Sequence, residues 1–352
     1  MKKLAPIACA ILAFGAAHAQ TSSVTIFGLL DVNVGRYSGG GPSVTVLGTD
    51  GLQSSRIGLR GQEALGGGLS ASFWLESGIN PDTGTGGTTN TNNQANGGAG
   101  GGGIVFGRRS TVSLSGAFGE LRLGRDYTPG FWNLSRFHPF GTNGVGTAGI
   151  LFYPVLSGAR VTNVRASNSV GYFLPQGLGG FYGQAMYALG ENSSTSATPN
   201  DGRVLGARVG YASGPLDVAV GYAKTKLTPV GDFTQTNIGG SYDFKVAKLF
   251  LLAGQNEVGV TKTKAINLGV HVPVGTGVLR AAYGRVKATG VANDATQVTV
   301  GYVHNLSKRT ALYTNLSQID NKGTGTTFNV GAPVTTPGGK SRGVEAGIMH
   351  TF

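Results

Sequence analysis

The chain is written in short segments, each of about ten residues, in which apolar side chains alternate with small or polar ones. VTIFGLLDVNV (Val24 to Val34) is the first. In SSRIGLRG (Ser54 to Gly61), Ile57 and Leu59 share one face while Arg56, Gly58 and Arg60 share the other. LSASFWLE (Leu69 to Glu76) sets Leu69, Ala71, Phe73 and Leu75 against Ser70, Ser72, Trp74 and Glu76. A period of two is the signature of a strand, because successive side chains point to opposite faces. The pattern returns in STVSLSG, GELRLGR, ASNSVGYF, FYGQAMYAL, VLGARVGY, LDVAVGYA and NIGGSYDF, and again in LFLLAGQ, INLGVHV, VLRAAYG, VTVGYVH, ALYTNLS and GVEAGIMHTF. That makes about sixteen segments, an even number, with LFLLAGQ and ALYTNLS alternating poorly.

The connections are sorted by length. Short turns rich in Gly or Pro stand at EALGGG, GAFG, PQGLGG, ASGP, PVGTG and NLSKR. Between them lie longer polar loops: 37–51, 78–103, 128–164, 191–202, 226–233, 288–295 and 321–340. Antiparallel strands that meander between two different environments produce such a sorting, and a bilayer barrel with short periplasmic turns and long external loops is the standard case. The polar face carries Gly, Ser, Thr, Asn, Asp and Arg, which suits a wet lumen and could not fill a dry core. Tyr172, Tyr187, Tyr211, Tyr222, Tyr242 and Tyr302 fall near segment ends, where interfacial aromatic girdles form. The expectation is an all-β chain folded as a 16-stranded antiparallel transmembrane β-barrel.

Residues 1–19 are read apart from this. Lys2 and Lys3, an apolar run from Leu4 to Ala16 and the small-residue site Ala17-His18-Ala19 form a signal peptide, cut after Ala19. The barrel domain is then 20–352, and Cys9, the single cysteine, leaves with the signal. No later apolar run is long enough for a membrane helix, so permanent membrane residence requires strands. Glycine, 62 of 352 residues, lacks collagen periodicity. The net charge of +12 comes without a Lys/Arg-rich run, which argues against nucleic acid as a partner.

Several stretches resemble the trimeric general porins of Gram-negative outer membranes, in the β-proteobacterial branch and there its anion-selective members. SSVTIFGLLDVNV is similar to that family's first strand, SSRIGLRGQEALGGGLSASFWLE to its second hairpin and RRSTVSLSGAFGELRLGRD to its third. GYVHNLSKRTALY is similar to the hairpin before the last strand, and the chain ends in Phe352, an assembly signal in such porins. The resemblance implies three barrels per assembly and a third loop folded into each pore. It implies residence in the cell outer membrane among lipid and lipopolysaccharide, with insertion by the barrel-assembly machinery. The cargo it implies is small hydrophilic or anionic solutes. The stretch 127–164 matches only at its edges.

That stretch has no strand pattern, yet Phe131, Trp132, Phe137, Phe140, Phe152 and Tyr153 need something to pack against. We read 128–164 as a constriction loop folded inward, carrying Arg136 and His138. Alternation points Arg56, Arg60, Arg122, Arg165 and Arg208 to the polar face, with Asp31, Glu76, Asp217 and Asp243. Parity with Val112 and Leu114 points Arg109 inward but not its neighbour Arg108, and a bulge or strand end would admit both. By resemblance the constriction arginines are Arg56, Arg108 and Arg165, with Glu76 among the acids. The full expected set is Asp31, Arg56, Arg60, Glu76, Arg108, Arg109, Arg122, Arg136 and Arg165. The Gly/Asn tract in 80–103 reads as a flexible external loop.

The glycine runs contain no phosphate-loop motif, and His138, His271, His304 and His350 lie in separate hairpins without metal-ligand or catalytic spacing. No catalytic residue, metal or cofactor is expected. The function expected is an outer-membrane porin forming a water-filled channel for passive diffusion of small hydrophilic solutes, biased toward anions by arginine. The alternatives are an outer-membrane barrel enzyme and a secreted adhesive β protein.

Overall fold

The computed structural model describes residues 23–100, 103–153, 161–291 and 293–352; the expected signal peptide lies outside the described residues. Sixteen antiparallel strands form one closed barrel. The first eight are β1 (Ser23–Ser38), β2 (Arg56–Gly66), β3 (Leu69–Asn80), β4 (Arg109–Gly116), β5 (Gly119–Tyr127), β6 (Arg165–Phe173), β7 (Phe181–Ala188) and β8 (Val204–Ser213). The rest are β9 (Leu216–Thr225), β10 (Phe233–Asp243), β11 (Lys248–Val258), β12 (Thr261–Val274), β13 (Gly277–Thr289), β14 (Ala295–Asn305), β15 (Thr310–Asn321) and β16 (Lys340–Thr351). Closure is made by β1, which pairs with β16 from Leu29↔Thr351 to Ser38↔Arg342 and with β2 from Ser23↔Gln62 to Leu29↔Arg56. A closed sheet leaves no row of unpaired amides for lipid to meet.

Alternation becomes an outer and an inner face. Val24, Ile26, Leu205, Ile238, Leu268 and Val298 are exposed on the outside, as are Tyr172, Tyr187, Tyr222 and Tyr242. Buried polar groups such as Asn237, Asn267, Thr299 and Asn315 face in. The two segments that alternate poorly are β11 and β15. Leu252 of β11 and Tyr313 of β15 are inward residues that are nonetheless buried, because the lumen beside them is filled by protein, whereas Phe250 of β11 packs on His271 at the edge of the lumen cavity. A wet lumen would have made Leu252 and Tyr313 polar.

Ser23, the first described residue, and Phe352 share the end of the barrel that carries the tight turns, where Gly66, Gly67 and Gly68 all take positive φ. The long connections gather at the opposite end, with one exception: β11 and β12 are joined there by a turn so tight that Val258 and Thr261 are themselves ladder partners. The β2 line is also interrupted. Val44–Thr49 pairs with 32–37 of β1 and β2 resumes the line at Arg56, so that 50–55 leaves the wall.

The tract 80–103 is more ordered than its composition suggests. Thr88–Asn90 pairs with Gly98–Gly100, and Asn93, 1% exposed, inserts beneath the rim. Its amide donates to the carbonyls of Ser167, Leu189 and Gly202 and accepts from Ser167 N. These partners lie on its own barrel, beside the bulge that β6 makes between Ala166 and Ser169.

Candidate functional site

The segment between β5 and β6 turns into the lumen. Its neck is closed by Thr128 N donating to Val164 O at 3.0 Å, and Pro129 opens α1 (Pro129–Arg136), where a missing N–H costs nothing. A second short helix, α2 (Gly149–Phe152), follows. Leu134, Phe137, Val145, Ala148, Leu151, Phe152 and Tyr153 pack with Leu252, Val286, Ile319 and, from the last long loop, Phe328 and Val330. The aromatic residues find their packing partners inside the barrel.

Two devices hold the loop against the wall. The first is a row of side chains from distant strands that satisfy its backbone. Asn237 Nδ2 donates to Gly130 O (2.9 Å), Asn256 Nδ2 to Phe152 O (2.5 Å) and Gln297 Nε2 to Val145 O (3.0 Å). The carboxylate of Glu345 accepts from Val145 N at 3.1 Å. The second is glycine. Gly206, Gly221, Gly239, Gly254, Gly269, Gly284 and Gly301 stand on seven consecutive strands, β8 to β14, under the loop. A Cβ at Gly239 would lie 2.7 Å from Phe137 Cβ, and one at Gly254 2.8 Å from Phe152. Only a bare backbone admits the loop at this distance.

The expected arginines gather on the facing wall. Arg108 Nε lies 2.6 Å from Glu76 Oε1 and Arg56 Nε 3.8 Å from the same oxygen, while Trp74 Nε1 donates to Glu76 Oε2 at 3.0 Å. Arg108 and Arg165 each donate to Tyr127 Oη at 3.0 Å, and the Arg165 guanidinium lies over the Tyr127 ring. Arg108 precedes β4 and its N–H bonds Glu76 O, so strand parity does not fix its direction; it lines the lumen as Arg109 does. Below this group Arg60 and Arg109 stack on Trp74, and Arg122 sits between Glu120 and Asp126 with its face on Phe173. Ring faces keep the guanidinium planes in place.

Two other expected residues lie apart from this cluster. Arg136, on α1, pairs with Asp217 at 2.5 Å and covers Tyr182. Asp31 is fully buried and stands away from the Arg56, Arg108 and Arg165 group: it accepts from Leu52 N and Gln53 N at 2.7 Å and from Tyr313 Oη, fixing the excursion of 50–55. Glu76 is an ion-pair partner within the basic wall and does not stand opposite it. Phe352 closes the barrel, donating to Gly28 O at 3.0 Å and accepting from Gly28 N at 3.2 Å.

Tyr127 is the hub of the group, and no motif marks it. Arg280, 6% exposed, is a further lumen cation, donating to Asn315 Oδ1 and lying over Phe140. Beside it, His138 accepts from Phe140 N through Nδ1, which leaves its proton on Nε2. Burial, then Arg280 and His271, push the His138 pKa down to about 3. The lumen cavity has a volume of about 1360 Å³, and its wall includes seven arginines (56, 60, 108, 109, 136, 165 and 280) and one carboxylate, Glu76.

A closed barrel with a polar lumen, narrowed by its own inward loop, defines a channel-forming protein of the membrane class. Comparison with known proteins agrees. The model of the Gram-negative porin family matches residues 7–324. Outer membrane porin protein 32 of Delftia acidovorans is 40% identical over 98% of this chain and 99% of its own length. An outer membrane porin of Bordetella pertussis is 29% identical over the whole of both chains. Among solved structures, an anion-selective porin from Comamonas acidovorans superposes with a TM-score of 0.82 at 39% identity, covering 94% of this chain and 100% of that one. An outer membrane protein of Vibrio cholerae, at 15% identity and a TM-score of 0.64, shares the fold. The chain belongs to the Gram-negative porin family, and its place is the bacterial outer membrane.

Proposed function

We propose that the chain forms a water-filled, anion-preferring pore through which small hydrophilic solutes diffuse passively, with no catalytic step and no cofactor. The observation that carries this reading is the wall itself: among the described residues lining this cavity, seven are arginines and one is a carboxylate side chain. Guanidinium stays charged at any working pH and presents several donors to a passing carboxylate or phosphate. Low-dielectric walls concentrate the field of such charges in a constriction. Arg56, Arg108 and Arg165 are the selectivity group in this reading, Arg60, Arg109 and Arg122 continue the basic wall, and 128–164 sets the width.

The assembly is a homotrimer, a reading supported by the resemblance to trimeric porins. Phe352 is the assembly signal read by the barrel-assembly machinery, and residues 1–19 are the export signal. The test is a planar-bilayer recording of purified protein across a salt gradient. Stepwise conductance with a reversal potential of anion sign is expected. Absence of conductance, or cation sign at low salt, would refute the reading.

A further inference from the structure

The strand ladder is interrupted on both sides of Arg125. Toward β4 the pairing with β5 ends at Ser110↔Arg125, so Gly107 and Arg108 lie beyond it. Toward β6 the register runs from Ala166↔Asp126 to Ser169↔Gly124 and passes over Ser167 and Asn168, which leaves Arg125 without a ladder partner on that side. Asn168 takes a φ of +59° and Gly124 one of +124°. Both irregular stretches adjoin cations of the lumen: Gly107 directly precedes Arg108, and Ser167 stands two residues after Arg165. A bulge re-aims the side chains next to it, so the directions of these two arginines need fixing by something other than the ladder.

The side chain of Arg125 spans both gaps. Nε donates to Gly107 O at 2.7 Å, while Nη1 donates to Ser167 Oγ at 2.9 Å and to Asn90 O at 3.3 Å. Ser167 Oγ donates in turn to Asn90 O, which ties 80–103 into the same knot. Arg125 shares the parity of Leu121 and Leu123, which are exposed on the outer face, and it is not among the described residues that line the lumen cavity. Among the described residues no ion pair involves it. Desolvating a cation with no carboxylate beside it is costly, and an apolar anchor would avoid the cost. What an arginine supplies here is a planar fork of donors that joins two segments at fixed spacing, and a lysine, with one point charge on a flexible stem, does not.

We propose that Arg125 is a positioning residue for anion selectivity: from outside the lumen, its guanidinium holds the segments that carry Arg108 and Arg165 so that both converge on Tyr127. The two arginines meet at Tyr127 Oη, each donating to it at 3.0 Å. Toward β3 the backbone of Arg108 is held by its own N–H on Glu76 O at 3.1 Å, and toward β5 the backbone just before it is held by Arg125. This role rests on the anion-preferring reading proposed above, and Arg125 itself touches no solute in it. Freeing the two segments so that their guanidiniums retreat from about 7 Å to about 9 Å from the path lowers the anion-to-cation permeability ratio about twofold at physiological ionic strength. At about 1 M salt, with a screening length near 3 Å, the change is close to nothing.

The test is the reversal potential of the full-length protein in planar bilayers across a potassium chloride gradient, at low and at high salt. Arg125→Lys keeps the charge and loses the fork, so at low salt it loses about twofold in the permeability ratio, and Arg125→Gln loses as much. Arg36→Lys, an outward arginine bonded to Ser43, leaves the ratio unchanged. In a background of Arg108→Gln with Arg165→Gln, Arg125→Lys changes the ratio no further, because the residues it acts through are gone. Ser167→Ala removes one arm of the bridge without altering any charge, and it carries the test with a smaller loss in the same direction if the Arg125 variants insert poorly. Retention of the ratio by Arg125→Lys with loss in Arg125→Gln would make Arg125 a distant charge and overturn the proposal. So would protease sensitivity of 80–103 with the ratio intact, which would leave it a loop anchor, or a twofold loss that persists in the double-variant background. Cation preference in the unaltered protein overturns the proposed function and this role together, whereas anion preference there with unchanged variants overturns this role alone.

Discussion

Neutralising Arg56, Arg108 and Arg165 together, each to Gln, is the most direct perturbation of the lumen wall. Glu76 offsets one of the three charges through its contact with Arg108, so two net positive charges act on the passage. At about 7 Å and an effective dielectric of about 60, each contributes roughly 0.8 kcal/mol before screening. A screening length of about 8 Å reduces the pair to roughly 0.7 kcal/mol at physiological ionic strength. An anion gains this and a cation loses it, so the anion-to-cation permeability ratio carries about a factor of ten from the three arginines. At about 1 M salt, where the screening length is near 3 Å, the factor falls below about two. Reversal potentials across a salt gradient read the ratio directly. The triple variant should lose about tenfold in low salt and little in high salt. Arg36 and Arg342 face outward and serve as the control, because their replacement also lowers the charge of the chain without touching the lumen. An unchanged ratio in the triple variant at low salt, or an equal change in the control, would refute the argument and move selectivity to the loop mouths.

Four further perturbations follow from the geometry. Deleting Phe352 removes both hydrogen bonds to Gly28 and should sharply reduce heat-modifiable barrel in the outer membrane; normal amounts would count against closure through this residue. Asn93→Ala strands the buried Ser167 N–H and three carbonyls, at about 1–3 kcal/mol, and should open 80–103 to protease while conductance persists. Gly239→Ala should overpack Phe137 by roughly 1–3 kcal/mol and produce noisy or altered single-channel levels, whereas Gly171→Ala, whose Cβ meets nothing closer than 3.4 Å, should not. His138 has a docked pKa of about 3 against an ordinary 6.5, so below about pH 6.5 a released loop binds a proton that the docked loop refuses. Docking should weaken as pH falls, by roughly 3 kcal/mol near pH 4.5, seen as acid-induced closures that His138→Gln suppresses.

Local alternation made the barrel legible: a period of two in β3 is enough to send Trp74 and Glu76 inward together. It failed where an inward residue meets protein in place of water, as Leu252 does. It could not place Asp31, whose inward direction is right but whose partners come from an excursion that no periodicity announces. The constriction loop was legible as an inward segment from its aromatics, yet not in its path. Its clamps, Asn237, Asn256, Gln297 and Glu345, stand more than a hundred residues away in sequence. One signal was present and unread. Glycine recurs inward in VLGARVGY, LDVAVGYA, NIGGSYDF, LFLLAGQ, INLGVHV, VLRAAYG and VTVGYVH, one strand after another. That is the track on which the loop lies.

The two halves of the lumen therefore have complementary tasks. From β8 to β14 the wall under the loop is bare backbone and amide side chains, with Arg208 and Arg280 reaching the loop between them, and the loop covers it with Phe137, Leu151 and Phe152. From β2 to β6 the wall carries arginine on aromatic rings, and the loop leaves it open. A solute in transit is bounded by the low-dielectric body of the loop on one side and by guanidinium edges on the other. Field lines from those edges cannot spread into the loop as they would into water, which strengthens the potential in the passage that remains. Moving the loop off its glycine track would widen the pore and lower its discrimination through the same displacement. On the proposed reading width and selectivity share one element, so a loop variant that raised conductance while leaving the permeability ratio intact would refute it.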